Sequence, residues 1–374
     1  MLRFLTSGES HGKCLVAILE GMVAGLEIDP SFINGELARR QEGYGRGGRM
    51  TIEKDEAEIL SGVRSNKTIG GPIALLVPNK DFKINELPVV KRPRPGHADL
   101  VGAMKYGRED VRDILERASA RETTARVAVG AVCKTFLAEF GADIVSHVVS
   151  IGGVKADTSD MSFDEIRKAA LHSPMHCADK AAEKRMMARV DEAKKSKDTI
   201  GGIFEVVVKG VPVGLGSFVH YDRRLSAKLC ASLMSIQAVK GVEIGMGFRV
   251  SENLGRDVHD EIFHDKKKGF YRKTNNAGGF EGGVTNGEAL VLRAATKPYS
   301  TLMSPMQSVH IDTKAREAAT VERSDVTAVP ACGVVGEAMV AFELANAYLE
   351  KFGGDSLSEA RRNFDAYRKQ LDAF

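Results

Sequence analysis

Glu116-Arg117-Ala118-Ser119-Ala120-Arg121-Glu122, together with the apolar run that ends at Gly141, decides how the chain is organised. Ser119 and Glu122 have the S-x-x-E spacing of a capping box, which predicts a helix starting there. Ala125, Ala128, Val129, Val132, Phe136 and Phe140 recur at helical spacing, and Gly141 closes the run. Val127, Gly130 and Ala131 leave little polar face, so this helix is expected to be buried on nearly all sides. Arg121 in its first turn opposes the helix dipole, which favours negative charge at an N-terminus. An anionic ligand would resolve that conflict, and Arg117 with Arg121 would frame a site of phosphate or carboxylate size.

A second apolar stripe, Val335, Ala338, Met339, Phe342 and Ala345, predicts another buried helix from about Val334 to Phe352, ended by Gly353-Gly354. Glu322-Arg323-Ser324-Asp325 precedes it, much as Glu116-Arg117 heads the first. Glu20-Gly21-Met22-Val23-Ala24-Gly25-Leu26 also resembles Lys209-Gly210-Val211-Pro212-Val213-Gly214-Leu215. Each is followed by a charged helix carrying an arginine pair, Arg39-Arg40 and Arg223-Arg224. Such echoes imply two similar halves, packed through their buried helices and contributing to one pocket. Strands are expected over Leu2 to Thr6, Ile73 to Val77 and Gly202 to Gly210. Lys155 to Asp198 reads as solvated helices.

Asp29-Pro30 supplies an N-cap and a helix-starting proline, and Ile33 and Leu37 lie one turn apart. That helix is expected to launch Arg39 and Arg40 into the loop Arg39-Arg40-Gln41-Glu42-Gly43-Tyr44-Gly45-Arg46-Gly47-Gly48-Arg49. Guanidinium forks fit carboxylates and phosphates, and glycines bring backbone close to a ligand. The loop therefore reads as a pocket for a small, multiply charged anion. A solvated basic loop and an Arg-Gly RNA-binding tail are the competing readings. Against the tail, the segment is not low-complexity, and the strand-like Met50-Thr51-Ile52 follows it.

Gly8-Glu9-Ser10-His11-Gly12 formally matches the G-x-S-x-G nucleophile elbow, with a strand before it and the helix-like apolar run Cys14 to Met22 after it. An elbow needs an earlier strand-and-loop region to supply its oxyanion hole, and almost nothing precedes this one. The turn reads instead as presenting His11 for acid–base work, with a structural histidine as the alternative. In Lys91-Arg92-Pro93-Arg94-Pro95-Gly96-His97-Ala98-Asp99 two prolines pin the backbone before His97. That suits a ring held in place to exchange a proton, again with a structural role as the alternative. The glycine-dense stretch Asn275 to Gly287 could pass flat over a planar ligand, or form an ordinary hairpin. Lys297-Pro298-Tyr299-Ser300-Thr301 adds a cation and hydroxyls where a strand ends. His172 and His176-Cys177 have metal-like spacing, but Pro174 interrupts any helix there, and no metal site is expected. No Walker loop is present, which argues against a P-loop enzyme.

Composition bounds the rest. The chain has 374 residues, 43% hydrophobic and 28% charged, with a formal charge of +3, too near neutral for bulk nucleic-acid binding. Its five cysteines (Cys14, Cys133, Cys177, Cys230, Cys332) are scattered and odd in number, as expected of reduced thiols in a cytoplasmic protein. No apolar run reaches spanning length, and Met1-Leu2-Arg3-Phe4 reads as the start of a strand, not of a signal peptide. No membrane partner is expected.

Taken together, these motifs resemble the chorismate synthase family through nearly the whole chain. The carriers are Gly8 to Gly12, Arg39 to Met50, Pro95 to Asp99, Arg117 to Arg121, Gly241-Val242-Glu243-Ile244-Gly245, Asn275 to Gly287 and Arg323-Ser324-Asp325-Val326. The resemblance implies a lyase that removes phosphate from 5-enolpyruvylshikimate-3-phosphate by 1,4-anti-elimination to give chorismate, the last common step toward aromatic compounds. It implies reduced FMN as cofactor with no net redox change, since the flavin can lend electron density and take it back. NADPH, or a separate flavin reductase, would supply the reduced form. The implied fold is α+β, a β-α-β sandwich with internal pseudo-duplication and buried helices between antiparallel sheets. It would form one domain over residues 1–374, with halves roughly 1–150 and 200–352, assembled as a homotetramer.

By the same resemblance, His11 protonates or stabilises the departing phosphate, His97 supports protonation of the flavin, and Asp325 is the base near flavin N5. Arg117, Ala118, Ser119, Gln237, Ala238, Gly282, Lys297, Pro298, Tyr299, Ser300, Thr301 and Arg323 fall where the family holds FMN. Arg40, Arg46, Arg49 and Arg121 would meet the substrate's two carboxylates and phosphate, aided by Arg323, and Arg40 and Arg46 also match positions of NADPH contact. Two departures are local. Cys177-Ala178-Asp179 stands where Cys-Pro-Asp is frequent, and Tyr299-Ser300 stands where a second proline is common.

Overall fold

Period-two alternation shapes the first residues. The computed structural model describes residues 1–47, 54–266, 269–322 and 324–374, so Arg49, Arg323 and the expected strand Met50-Thr51-Ile52 lie outside the described residues. Strand β1 (Arg3–Ser7) pairs antiparallel with β2 (Cys14–Glu20), placing Leu5 opposite Ile18. Within β2, Leu15, Ala17 and Leu19 are buried while Ile18 is exposed, so the run expected to be helix-like is a strand with one inward face. Strands β3 (Glu58–Ser61) and β4 (Ile73–Pro78) complete an antiparallel sheet of order β1-β2-β4-β3.

The second sheet contains β5 (Asp143–Ile151), β6 (Val154–Lys155), β7 (Gly202–Lys209), β8 (Val239–Ile244) and β9 (Leu290–Thr296). Its order is β8-β9-β7-β5-β6, also antiparallel. Taken from β5, the sequence β5-β7-β9-β8 repeats the connectivity of β1-β2-β4-β3, with the short β6 added at one edge.

Among the described residues the α-helices longer than about one turn are α1 (Pro30–Gln41), α2 (Asp99–Tyr106), α3 (Arg112–Arg117), α4 (Thr123–Ala138), α5 (Phe163–Leu171), α6 (Lys180–Lys195), α7 (Leu225–Met234), α8 (Val329–Phe352) and α9 (Leu357–Asp372). The chain is thus a mixed α+β fold with several antiparallel sheets and buried helices. Helices α4 and α8 pack on each other, with α4 also against β2 and β4, and α8 against β5 and β7. Among the described residues α8 is the one helix long and apolar enough to cross a membrane, but 89% of its apolar stretch is buried, as in a core helix.

Three boundaries differ from the expectation. Ser119 Oγ accepts the Arg121 amide at 3.2 Å and opens a 3-10 turn, Ala120–Glu122, so the α-helix proper begins at Thr123. The capping box does not close, because the Glu122 carboxylate finds Thr6 Oγ1 (2.7 Å), Gln237 Nε2 (3.0 Å) and Arg126 Nε (2.9 Å) instead. Helix α8 begins at Val329, earlier than Val334, because Pro330 fits a first turn where no amide donor is needed. Finally, Arg39 and Arg40 form the last turn of α1 and are not in the loop, whereas Arg223-Arg224 precede α7, so the two arginine pairs do not occupy matching places.

One charge lies inside this apolar stack. Glu337 of α8 is 0% exposed. Arg39 grips it through Nη1 (2.9 Å) and Nη2 (2.8 Å), Ser146 donates its amide (2.7 Å) and hydroxyl (2.6 Å), and Lys134 of α4 also contacts it. Glu36 joins the cluster through Arg39 (2.7 Å) and Lys134 (2.5 Å). Burial pushes the Glu337 carboxyl up, but the charges of Arg39 and Lys134 outweigh it and hold it far below the usual carboxylate range.

Helices α4 and α8 come very close at Gly130 of α4, where an added Cβ would stand 2.2 Å from Ala338 Cβ and 2.4 Å from its Cα. In an ordinary helix interior Gly→Ala is favourable by up to about 1 kcal/mol. Here overpacking, at about 1–3 kcal/mol, reverses the sign. Gly130→Ala is therefore expected to lower the urea midpoint of unfolding; an unchanged or raised midpoint would show that α4 and α8 can part.

Candidate active site

The β1–β2 turn is held by α3. Gly8 has φ +105°, and a Cβ there would meet Cys14 O at 2.3 Å, so no other residue fits. Arg117 donates to the carbonyls of Gly8 (3.0 Å) and Thr6 (2.9 Å). The Ser10 amide donates to Glu116 O (3.0 Å), and the His11 amide donates to Glu116 Oε2 (2.8 Å). The His11 ring places Nδ1 3.0 Å from both carboxylate oxygens of Glu116. Burial raises the Glu116 carboxyl's proton affinity, but hydrogen bonds from His11 and Arg112 with the charge of His11 win and hold it below the ordinary range. Since β2 follows this turn directly, the strand–turn–helix geometry of a nucleophile elbow is absent here.

The arginines do converge, around carboxylates the chain supplies itself. Asp55 accepts from Arg121 Nη1 (2.6 Å) and Arg40 Nη2 (2.8 Å), and these two arginines are only 6% and 5% exposed. Asp55 thus supplies a negative charge that offsets the dipole conflict of Arg121. Arg121 Nε also donates to Asn79 Oδ1 (2.9 Å), while Asn79 Nδ2 donates to the carbonyls of Glu9 (3.2 Å) and Gly12 (2.8 Å). This ties the guanidinium cluster to the His11 turn. Burial lowers the proton affinity of Arg40, Asp55 raises it, and Arg121 and Arg46 lower it further; the net direction is down. Arg46 Nη1 pairs with Asp325 Oδ2 (2.8 Å), and the Gly47 amide donates to Asp325 Oδ1 (2.5 Å). The Tyr299 hydroxyl lies 3.4 Å from Asp325 Oδ2, and burial with that carboxylate pushes the phenol well up.

A second histidine closes the other side. His97 Nδ1 is 2.5 Å from Asp99 Oδ1. Arg94 grips Asp99 through Nε (2.9 Å) and Nη2 (3.1 Å) and donates to Thr301 Oγ1 (2.8 Å). Lys297 Nζ donates to Ser300 Oγ (2.8 Å) and to Gly96 O. Beside it opens a cleft of about 430 Å³, whose walls include Gly96, Thr199, Lys297, Pro298, Tyr299 and Ser300. The Lys297 amide donates to Ala238 O (2.9 Å), and Ala238 has φ +72°, a left-handed conformation that costs a non-glycine residue about 1–3 kcal/mol. Gln237 reaches Glu122, whose other oxygen meets Thr6, so it joins the Arg117 side. Ala118 caps the end of α3, next to Ser119. Gly282, by contrast, sits in the Phe280–Glu281/Val284–Thr285 hairpin with Phe218 Cβ as its near neighbour, outside this network among the described residues.

Asp55, Asn79, Glu116 and Asp99 have no role in the motif reading, and Glu122, read there as half of a capping box, meets Thr6, Gln237 and Arg126 instead. Asp99 and Glu116 stood inside quoted motifs; Asp55 and Asn79 carried no local signal, because their partners lie 66 and 42 residues away in sequence.

Two histidines held on buried carboxylates, and buried guanidinium groups paired with carboxylates, are what the chain assembles here. A family model described as chorismate synthase matches residues 2–349. Chorismate synthases of Geobacter sulfurreducens (54% identical) and Geobacillus kaustophilus (53% identical) align over 100% of this chain and 100% of their own length. A crystal structure of a chorismate synthase superposes with a TM-score of 0.83 at 44% identity, covering 100% of this chain and 99% of that one. The chain belongs to the chorismate synthase family, and its reaction is the elimination of phosphate from 5-enolpyruvylshikimate-3-phosphate to give chorismate.

The family uses reduced FMN, and the residues here fit such a group. Gln237 Oε1 is a buried acceptor without a partner, as a ring N–H would require. Lys297 has its proton affinity lowered by burial and by Lys240, so an anion such as a flavin phosphate would relieve both cations.

Asp55 is the counter-ion on which Arg40 and Arg121 depend, so Asp55→Ala is expected to cost about 3–5 kcal/mol in urea unfolding, the usual penalty for half of a buried pair. The carboxyls of Asp55, Asp99, Glu116, Glu122 and Glu337 are all held below their ordinary values. Their contribution is complete above the unfolded values of about 3.9–4.3 and is lost as pH falls through the lower folded ones. The gap between wild type and Asp55→Ala should stay constant from about pH 7 to 5 and narrow below about pH 4. A gap that widens on acidification would reverse the assignment.

Proposed function

We propose that elimination takes place between the His11 turn and the Arg40–Arg46–Arg121 cluster. The observation that carries this is the unbroken chain of contacts from the turn through Asn79 to Arg121, Asp55 and Arg40. Arg40, Arg46, Arg49, Arg121 and Arg323 hold the substrate's carboxylates and phosphate, with developing charge on the leaving phosphate met by fixed guanidinium groups. His11 protonates or stabilises that phosphate. Asp325, held by Arg46 and the Gly47 amide, serves as the base near flavin N5 when the cofactor is bound. His97 supports the protonation state of the flavin. Reduced FMN, when bound, supplies electron density to the substrate and recovers it.

Arg117, Ala118, Ser119, Gln237, Ala238, Lys297, Pro298, Tyr299, Ser300, Thr301 and Arg323 hold that cofactor, with Gly282 the one member of the set that stands apart from them, on its hairpin. Arg40 is 5% exposed, which favours substrate over the larger NADPH there. Reduction of the flavin by NADPH then falls to another surface or to a separate flavin reductase.

We further read the chain as one domain, 1–374, made of two pseudo-repeats in a β-α-β sandwich. The repeated strand connectivity supports this, and so does a pair of matched threonine clamps. Leu26 N donates to Thr68 Oγ1 (2.9 Å), which donates to Val23 O (2.6 Å); Leu215 N donates to Thr285 Oγ1 (2.9 Å), which donates to Pro212 O (2.7 Å). On that reading β5 opens the second half, earlier than the division near residue 150 or 200. Exposed Leu5, Ile18 and Leu60 on the outer face of the first sheet favour assembly with further copies, as in a homotetramer. The five free cysteines suit a cytoplasmic setting.

The test is phosphate release from the enolpyruvyl substrate under anaerobic conditions with chemically reduced FMN. His11→Ala and His97→Ala are each expected to slow it by roughly 10²–10⁴-fold. Near-normal rates in both variants would refute the roles given to these rings.

A further inference from the structure

The two histidines come from unrelated stretches, yet they are held alike. In each, Nδ1 faces a carboxylate whose side chain is 0% exposed: Glu116 for His11, Asp99 for His97. In each, an arginine a few residues away clamps that carboxylate, Arg112 Nη1 at 3.2 Å and Arg94 Nε at 2.9 Å. In each, the same arginine reaches on toward the segment that carries the other site residues. Arg94 Nη1 donates to Thr301 Oγ1 (2.8 Å), and Arg112 Nη2 pairs with Glu322 Oε1 (3.0 Å), close before Asp325.

An ionised carboxylate offers only lone pairs, so the hydrogen in each contact resides on Nδ1. Arg94 Nη2 also lies 3.1 Å from His97 Nδ1 and 3.5 Å from its Nε2, but it is a donor with one of its two hydrogens on Asp99 Oδ1 (3.1 Å), and the nearest acceptor to Nδ1 is Asp99 Oδ1 at 2.5 Å. Glu116 cannot swing aside, because the His11 amide holds its Oε2 at 2.8 Å. In water the neutral ring favours the opposite arrangement, with hydrogen on Nε2. A buried histidine elsewhere in the chain shows that form: His147 Nε2 lies 2.9 Å from Glu205 Oε1.

We propose that Glu116 and Asp99 are positioning residues that lock His11 and His97 as Nδ1–H tautomers, so that Nε2 is the exchanging atom of both rings. Nε2 takes up or delivers the proton, while Nδ1 stays on its carboxylate. This rests on the roles given to the two histidines above.

The tautomers are read directly by two-bond ¹H–¹⁵N correlation of ¹⁵N-histidine-labelled protein, without substrate or flavin, well above the ordinary histidine value of about 6.5. His11 and His97 are expected as Nδ1–H and His147 as Nε2–H, with signals assigned by their loss in His→Ala variants. In Glu116→Gln one amide oxygen must serve both the His11 amide and Nδ1, so the His11 ring should pass to Nε2–H while His97 is unchanged. Asp99→Asn should do the converse. Both variants should lower kcat by roughly 10–100-fold, the usual size of an outer-partner effect, with little change in KM. An Nε2–H signal for either ring in the wild type, or tautomers indifferent to both substitutions, would overturn the proposal. Tautomers as stated, with normal turnover in His11→Ala and His97→Ala, would instead overturn the roles of the rings and leave the locking in place.

Discussion

A carboxylate sunk between apolar helices is the constraint from which the site's geometry follows. Glu337 sits on α8 without solvent, and a lone charge there would be costly by several kcal/mol. It is tolerated because Arg39, Lys134 and Ser146 meet it from α1, α4 and β5 together. Those contacts exist in one relative placement of the four elements only. With Arg39 drawn inward to Glu337, its neighbour Arg40 turns a different way around α1, toward Asp55 and Arg121. The orientation of Arg40 thus follows from a charge that its neighbour holds.

The pocket is balanced before any ligand arrives. Arg40, Arg46 and Arg121 face Asp55 and Asp325, so three guanidinium groups meet two carboxylates in a poorly solvated space. Self-repulsion among the cations is thereby limited. Asn79 carries that order across to the turn bearing His11. Preorganisation of this kind, with little rearrangement left for the moment of reaction, is how fixed dipoles and charges favour a transition state.

Much of the layout could be read from local pattern, and what failed did so for physical reasons. The buried character of α4 and α8 followed from their lack of a polar face, and Asp29 caps α1 as its sequence suggests. Cys14 to Met22 was misjudged because a short apolar run has no decisive period; its neighbours β1 and β4 settle it as a strand. The Ser119–Glu122 box failed because Thr6 and Gln237, remote in sequence, compete for the glutamate. Motif resemblance named the histidines and arginines, but of the carboxylates that hold them it gave a role to Asp325 alone. Those partners are chosen by folding, and spacing along the chain carries no trace of Asp55 meeting Arg121.

The contact at Gly130 also bears on how the molecule can move. With the α4 backbone resting on Ala338 and no side chain between them, the two long helices have no compressible layer through which to slide or hinge. The stacked centre therefore moves, if at all, as one rigid block.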